Sequence, residues 1–485
     1  MESCSEWIRT TRKNSPQFNT LLTAIMTLIA TGLQSGSCIF NLNLRNQAWA
    51  EGNTEFLIML TTLCFYWAAV HGPLAALFLV GRYEKRTISQ LYLTLAMVAS
   101  ILLIIVPDHI VAVAIARVLF GLAHGVAYFV VMIHGGEVST KERRGFNISM
   151  VNVCLMIGVL TYGLISPMTN HNYTIDPNRL SGILALICTA MGAGFGQLLS
   201  VESPVYLIQQ KRDDEAIRTM TKLRGEPNET LEIRKDYTEF KTMLQEDGET
   251  SRKIHRDGNY RPLILLSLCK TAAVLTFNMA LNSVRLIILD ELLSSTNHSM
   301  SGLVIMTIRV IFGCVFSLFI VRYSQKYPMA LSTLTSGMIL AIMGLLYLVL
   351  DHVNQYVAVI VMIIYEVVAS CGLTAIPDLY SSEAFNTKKK AMSLVSVQAH
   401  EYSTHMSIII NTFSFDFKSG RYHGGVMMVC GVPLLLLAAV FYHWLPETTG
   451  MTIRESQAKF CGRGKNQPVA HDHSSTYTRK ISQET

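Results

Sequence analysis

A chain of 485 residues ordinarily folds as two or three soluble domains, but half of this one is hydrophobic, only 15% is charged and its mean hydropathy is +0.34. The formal charge of +6 is spread over alternate connecting loops, which excludes a nucleic-acid-binding face. What remains is an all-α integral membrane protein, because the apolar residues gather into runs of the roughly 20 residues that cross ~30 Å of hydrocarbon.

Twelve such runs are read, at about 18–40, 56–79, 88–106, 110–133, 146–166, 180–200, 262–288, 301–321, 329–350, 356–379, 392–413 and 424–444. Residues 1–17 form a polar arm ahead of them. The first run is too long for a signal-peptide core and no small-residue cleavage site follows it, so it reads as a retained span. Arg82, Lys85 and Arg86 follow span 2, Lys141, Arg143 and Arg144 follow span 4, and Lys388, Lys389 and Lys390 follow span 10. The loops after spans 3 and 9 carry no lysine or arginine. By the positive-inside rule both termini are cytosolic, and the plasma membrane is the expected location. Sequons at Asn172 and Asn297 then fall in outer loops and are expected to carry glycans. Of the ten cysteines, eight lie inside spans, as small buried apolar residues rather than a disulfide framework.

Spans 1–6 (18–200) make one bundle and spans 7–12 (262–445) a second. The polar linker 201–261 between them is balanced, with 12 Lys/Arg against 12 Asp/Glu over 208–261. Asp213, Asp214 and Glu215 start a helix whose Ala216, Met220 and Leu223 form one apolar stripe, ended by Gly225. Residues 446–485 form a cytosolic tail that loses periodicity after 456 and reads as disordered.

One set of charges occurs twice. Glu137 is followed seven residues later by Arg144, and Glu383 seven later by Lys390. Another acid trails each pair, Glu202 after 65 residues and Glu447 after 64, and basic residues lead each, at Arg82 and Arg322. Equivalent charges at equivalent membrane edges signal a duplicated transporter. Arg117, Gly121 and Gly125 share one face of span 4, and a charge there needs a partner. The acids Glu137, Glu383 and Glu202 or Glu447 are the expected partners of Arg117, Arg144 and Lys390. They form a latch that is closed in one state of alternating access and open in the other.

With these residues in view, the chain resembles the sugar-porter branch of the major facilitator superfamily, in a divergent form similar to insect sugar and trehalose transporters. The resemblance rests on Arg117-x3-Gly121-x3-Gly125, Glu137, Arg144-Gly145, Glu202-Ser203-Pro204-x-Tyr206-Leu207, Leu223-Arg224-Gly225 and Pro446-Glu447-Thr448-Thr449-Gly450, over about 18–455. It implies two pseudo-symmetric six-helix bundles and a facilitated or proton-coupled carrier of hexoses or disaccharides, with the solute held between the bundles.

Departures from the family pattern fall where the solute is held. The family's D-R-x-G-R-R reads Gly81-Arg82-Tyr83-Glu84-Lys85-Arg86 after span 2 and Val321-Arg322-Tyr323-Ser324-Gln325-Lys326 after span 8. The span-5 glutamine becomes Asn152, and of Q-Q-L-S-G-x-N in span 7 only Asn282 survives, with Thr276 and Phe277 replacing the glutamines. Charges enter instead: Arg309 in span 8, Asp378 in span 10 and Glu401 in span 11. Arg309 is expected to pair with Asp378, and Arg285 to snorkel or pair with Asp290. The candidate substrate-binding set is Gln34, Asn152, Thr276, Asn282, Arg309, Asp378, Glu401 and Tyr402. His400-Glu401-x3-His405 is no zinc motif, since five residues turn the two imidazoles about 140° apart.

No nucleotide loop, nucleophile–base pair or redox pair is found, so the chain reads as no enzyme and needs no cofactor or metal. The leading function is transport of a small polar solute, sugar-like by family, with a proton as a candidate co-substrate. An organic-ion or zwitterion carrier using Arg309, Asp378 and Glu401 is the alternative, and a transport-inactive sensor or scaffold a third.

Overall fold

The computed structural model describes residues 15–39, 50–165, 176–250, 260–293, 301–319, 324–350, 353–385, 387–413 and 420–462. Asn172, Asn297 and Arg322 lie outside the described residues. The first six spans are the helices α1 (Ser15–Ile39), α2 (Glu55–Leu79), α3 (Lys85–Ile105), α4 (Ile110–Val138), α5 (Arg144–Ile165) and α6 (Pro177–Leu198). Their starts are chemically marked. Thr54 accepts the amide of Leu57 at the head of α2, and Asp176 accepts those of Asn178 and Arg179 at the head of α6, where Pro177 needs no partner. With no hydrophobic drive between helices in lipid, close approach comes from small residues. A Cβ on Gly121 would stand 2.2 Å from the Phe65 carbonyl oxygen, so α2 and α4 meet backbone to backbone. The outer surface is apolar, with Phe56, Phe78, Ile105 and Leu198 exposed, as lipid-facing helices require.

The linker folds as α7 (Pro204–Gln209), α8 (Asp213–Leu223) and α9 (Leu231–Thr250). Helix α8 buries Ala216, Met220 and Leu223, and Gly225 leaves it at a φ of +61°. Tyr206, Leu207, Ile208 and Ala216 form a small core with Tyr237, Phe240 and Leu244, and Lys241 binds Asp213 at 2.9 Å.

The second half comprises α10 (Tyr260–Thr276), α11 (Met279–Leu293), α12 (Ser301–Phe319), α13 (Lys326–Val349), α14 (Gln355–Ser370), α15 (Ile376–Glu383), α16 (Thr387–Phe413) and α17 (Gly420–Trp444). Two of its spans, read from sequence as continuous, are broken. Span 7 breaks between α10 and α11, where Asn278 bridges the gap: its amide donates to the Val274 and Leu275 carbonyls at 3.0 and 3.1 Å, and its oxygen accepts the Leu281 amide at 3.0 Å. One side chain thus serves the end of one helix and the start of the next. Span 10 breaks at 371–375, where the Val368 carbonyl accepts the Cys371 amide at 3.2 Å and the Ser332 hydroxyl at 2.6 Å. A Cβ on Gly372 would come within 2.7 Å of Ser332 and 2.8 Å of the Pro328 carbonyl oxygen.

Among the described residues, ten helical segments, span 7 counted across its break, are long and apolar enough to cross a membrane. Spans 10 and 11 fall short by that measure, the first because its helix stops at Ser370, the second because it carries Lys390, His400, Glu401 and His405. The tail is not wholly irregular: α18 (Ile453–Phe460) is a helix with a reciprocal Thr452–Glu455 capping box. The halves meet where α16 packs on α2, α12 on α5, and α15 on α4 and α5.

Candidate transport site

Two polar systems join the halves, one at the end of the bundle that carries the linker and one at mid-length. At the linker face the duplicated charges are exchanged between halves. Arg144 of the first half pairs with Glu383 of the second at 3.2 Å, and also donates to the Met451 carbonyl at 3.4 Å. Lys390 of the second half lies over the first, its ammonium 3.0 Å from where a Cβ on Gly136 would stand, and interacts electrostatically with Glu137. Glu137 itself takes the Ser203 hydroxyl at 2.5 Å and Lys85 at 3.5 Å. Helix α18 seals this end, with Ser456 donating to Glu383 at 3.4 Å and Gln457 to the Phe385 carbonyl at 2.7 Å.

The trailing acids act within each half. Glu202 accepts the amides of Lys85 and Ser203 at 2.8 and 3.0 Å, and Glu447 those of Gln325 and Lys326 at 3.1 and 3.3 Å, besides the Ser324 hydroxyl. Each therefore caps the helix of its half's third span, where a carboxylate meets unsatisfied N–H groups and the positive end of the helix dipole. Their surroundings tune them oppositely. Burial pushes the Glu202 carboxyl up, outweighing Lys85. Burial also pushes Glu447 up, but donors from Ser324, Thr449 and two backbone amides outweigh it and hold that carboxyl below its ordinary value.

Gating expectations are corrected at four residues: Glu202 and Glu447, expected to meet Arg117, Arg144 or Lys390, serve their own halves instead, and Arg117 and Arg82 also stand apart from the latch. Arg117 joins no acid of the latch: it sits two turns into α4, about 30 Å along the helix from Glu137, and donates to Ser37 at 3.3 Å and Thr62 at 3.4 Å. It is paired instead with hydroxyls of α1 and α2. Arg82 is exposed, and Lys85 is the loop cation that reaches Glu137 and Glu202.

At mid-length the halves enclose a cavity of about 80 Å³, room for several waters at the 10–15 Å³ each needs. Phe65, Tyr66, His124, Tyr128 and Asn152 line it from the first half, and Phe277, Arg309, Thr374, Glu401, Tyr402 and His405 from the second. Behind it Lys270 of α10 bridges Asp378 at 2.5 Å and Glu401 at 2.9 Å. Asp378 also accepts the Tyr128 hydroxyl and, at 2.5 Å, the amide of Asn152, so two of its donors come from the other half. Tyr66 stacks on His405 with centroids 5.1 Å apart, and His124 meets the edge of Tyr402 at 5.7 Å.

The expected Arg309–Asp378 pair does not form. Arg309 binds Glu366 at 3.0 Å, donates to the Thr276 carbonyl at 3.4 Å and lies over the Phe277 ring at 4.4 Å. Arg285 does not snorkel: it is fully buried and shares Glu366 with Arg309, and the side chain of Asp290 lies outside the described residues. The break in span 7 explains the exchange. It frees the Thr276 carbonyl, which draws Arg309 and also Tyr365, at 3.0 Å, while Lys270 sits closer to Asp378. Of the predicted solute-binding residues, Asn152, Arg309, Glu401 and Tyr402 line the cavity, and Asp378 stands behind Asn152. Gln34 is held by Ser181 at 3.2 Å within the first half, Thr276 turns its hydroxyl to the Ala273 carbonyl, and Asn282 is buried away from the lining. Lys270, Tyr128 and His124 were not anticipated. The first is the cation inside span 7, and the others continue the stripe Arg117, Gly121, His124, Tyr128 at spacings of four, three and four.

A twelve-span helical bundle with broken helices at a cavity between its halves, and an ion-paired seal at one end, defines a solute carrier of the alternating-access kind. The chain belongs to the sugar (and other) transporter family, which matches residues 22–460. It is 25% identical over 470 residues to the probable polyol transporter 3 of Arabidopsis thaliana, covering 90% of this chain and 88% of that one. It is 24% identical over 371 residues to the mouse facilitated glucose transporter member 7 of solute carrier family 2, covering 72% and 69%. Its fold matches the proton:xylose symporter XylE bound to 6-bromo-6-deoxy-D-glucose with a TM-score of 0.77 at 16% identity, over 93% of this chain and 100% of that one.

Proposed function

We propose that the protein carries a small polyhydroxylated solute, a sugar or polyol, between two sides of a membrane, with its linker face cytosolic and the plasma membrane as its location. The observation that carries this reading is a set of polar atoms at the cavity without a hydrogen-bond partner among the described residues. Asn152 keeps Oδ1 without a partner; Glu401 Oε2 meets Lys270 as an ion pair at 2.9 Å but makes no hydrogen bond; and Arg309 commits only Nε and Nη2, to Glu366 and Thr276. A hydroxyl donates and accepts at once, so donor and acceptor atoms standing together suit a row of hydroxyls. Tyr66, Phe65, Phe277 and Tyr402 supply apolar faces for the C–H surfaces of a ring or chain. The linker and loop cations support the orientation. Relatives named for polyols and glucose fit the same class.

A second reading, a zwitterion carrier, is favoured by the charge count of the two ion clusters. Lys270 faces two acids, and Arg285 and Arg309 share one. The clusters are off balance by one charge each, in opposite senses, along one cavity. Uptake into proteoliposomes of labelled D-glucose, D-sorbitol and a panel of amino acids decides between them. Flux of a sugar or polyol that weakens about ten- to a hundredfold in Asn152→Ala, the worth of a hydrogen bond to a charged or buried group, supports the first. Amino-acid flux with neither sugar nor polyol moved replaces it by the second, and binding without flux of any solute would make the protein a sensor.

A further inference from the structure

The two carboxylates around Lys270 are unequally served. Asp378 receives Lys270, the Tyr128 hydroxyl and the Asn152 amide. Among the described residues Glu401 meets Lys270 alone, as an ion pair at 2.9 Å through Oε2, and its side chain keeps 16% of its surface open at the cavity wall. We propose that Glu401 is a proton-binding site, and that Lys270 couples its protonation to solute binding at Asn152. This rests on the reading of the cavity as the solute's.

One ammonium cannot neutralise two buried carboxylates, so the cluster carries one uncompensated negative charge. While Glu401 is ionised Lys270 is divided, and Asp378 supplements it with donors from the opposite half, which holds the Asn152 amide away from the cavity. A proton from the aqueous phase adds to the open oxygen of Glu401, forming an O–H bond and cancelling the excess charge. Lys270 then serves Asp378 alone, and the Asn152 amide becomes free to donate to a solute hydroxyl. Linkage makes this reciprocal: a solute that draws Asn152 from Asp378 pulls Lys270 toward Asp378 and leaves Glu401 to take up a proton.

The groups around Glu401 allow this role and offer it few rivals. Helix α2 presents Tyr66, and α4 presents His124, whose Nδ1 is held by Thr31 at 2.9 Å, and Tyr128. Helix α10 presents Lys270, and α15 presents Asp378. The arginines Arg309 of α12 and Arg285 of α11 are already held by Glu366. On α16 itself Tyr402 and His405 face the cavity, while His400 is turned to Thr271 at 2.8 Å. His405 is therefore the titratable neighbour that a test has to separate from Glu401.

Two measurements on the full-length protein do so. Infrared difference spectra between about pH 8 and about pH 5 are expected to contain a protonated-carboxyl stretch that disappears in Glu401→Gln and survives in His405→Asn. If that band is unchanged in Glu401→Gln, the proton site is wrong whatever the transport shows. In proteoliposomes loaded for counterflow of D-glucose or D-sorbitol, a gradient of one pH unit is expected to drive up to about tenfold accumulation, the free energy of one proton moved across one unit. In Glu401→Gln the ratio of accumulation with and without the gradient is expected to fall to one, at whatever counterflow rate the variant retains. Glu401→Asp, which keeps the carboxyl, is expected to restore part of the response. Wild-type counterflow with no response to the gradient and no pH dependence of apparent affinity would overturn the coupling while leaving the carrier in place. Absence of wild-type counterflow for both probes removes the sugar reading and the coupling together, and the infrared band still decides the proton site.

Discussion

Replacing Arg144 by alanine tests the seal at the linker face most directly. Arg144 and Glu383 come from opposite halves and are 5% and 4% exposed, so water screens them little. Removing one partner of a buried ion pair costs about 3–5 kcal/mol, because the other charge stays buried without compensation. That cost applies only while the face is closed; once the halves part, Glu383 is hydrated. At 1.4 kcal/mol per factor of ten, the balance between closed and open shifts by roughly two to three and a half powers of ten toward open. Loss of the bond to the Met451 carbonyl, which anchors the approach to α18, acts in the same direction. Spin labels at Tyr83 and Tyr327, exposed residues beside the starts of α3 and α13, report the separation of the halves. Arg144→Ala is expected to convert a short-distance population into a longer one and to slow turnover more than it weakens solute binding. The milder Glu383→Gln, which keeps an acceptor for Arg144 and for Ser456, is expected to lie between. Unchanged distances together with unchanged turnover would show that the cross-half pair does not bias the two states.

Gly121→Ala places a methyl 2.2 Å from the Phe65 carbonyl oxygen and is expected to cost about 1–3 kcal/mol as overpacking, seen as a lower melting temperature in detergent. Gly194→Ala, with nothing within 4 Å, serves as the control, and equal loss in both would deny the close α2–α4 contact. The two capping acids predict opposite pH trends. Glu202 is raised in the fold, so its contribution to stability falls as pH rises from the ordinary carboxylate range through its raised value. Glu447 is lowered, so its contribution is present above the ordinary range and lost as pH falls through the lowered value. Melting curves against pH should therefore show Glu447→Gln costing more at neutral than at acid pH, and Glu202→Gln costing less; parallel curves would contradict the asymmetry. Lys270→Met leaves Asp378 and Glu401 without their shared cation and is expected to cost about 3–5 kcal/mol, part of which Lys270→Met with Asp378→Asn recovers. A double variant no more stable than the single one would exclude the pairing.

Much of the architecture is legible along the chain because each helix satisfies its own backbone, so a span's existence depends only on its own residues. The runs of apolar residues, the linker helix from Asp213 to Leu223 and the duplicated acids are all local patterns of this kind. Capping by Glu202 and Glu447 was less legible. Their partners, Lys85 on one side and Gln325 and Lys326 on the other, lie 117 to 122 residues away, where no periodicity reaches. The helix in the tail was missed because α18 is short and polar, and its boundary is marked by the Thr452–Glu455 capping box rather than by an apolar stripe.

Membrane physics required that Arg285, Arg309, Glu366, Asp378 and Glu401 be paired, and that requirement holds from composition alone. Which acid meets which base was decided by tertiary structure. Where span 7 breaks at Phe277 and Asn278, the freed Thr276 carbonyl draws Arg309 toward Glu366, and Lys270 is left to Asp378 and Glu401. Where the halves close, Arg144 reaches past Glu137 of its own half to Glu383 of the other. A charge in hydrocarbon announces its need for a partner in the sequence, but the choice depends on distances of a few ångströms between helices far apart along the chain, and only their packing sets those.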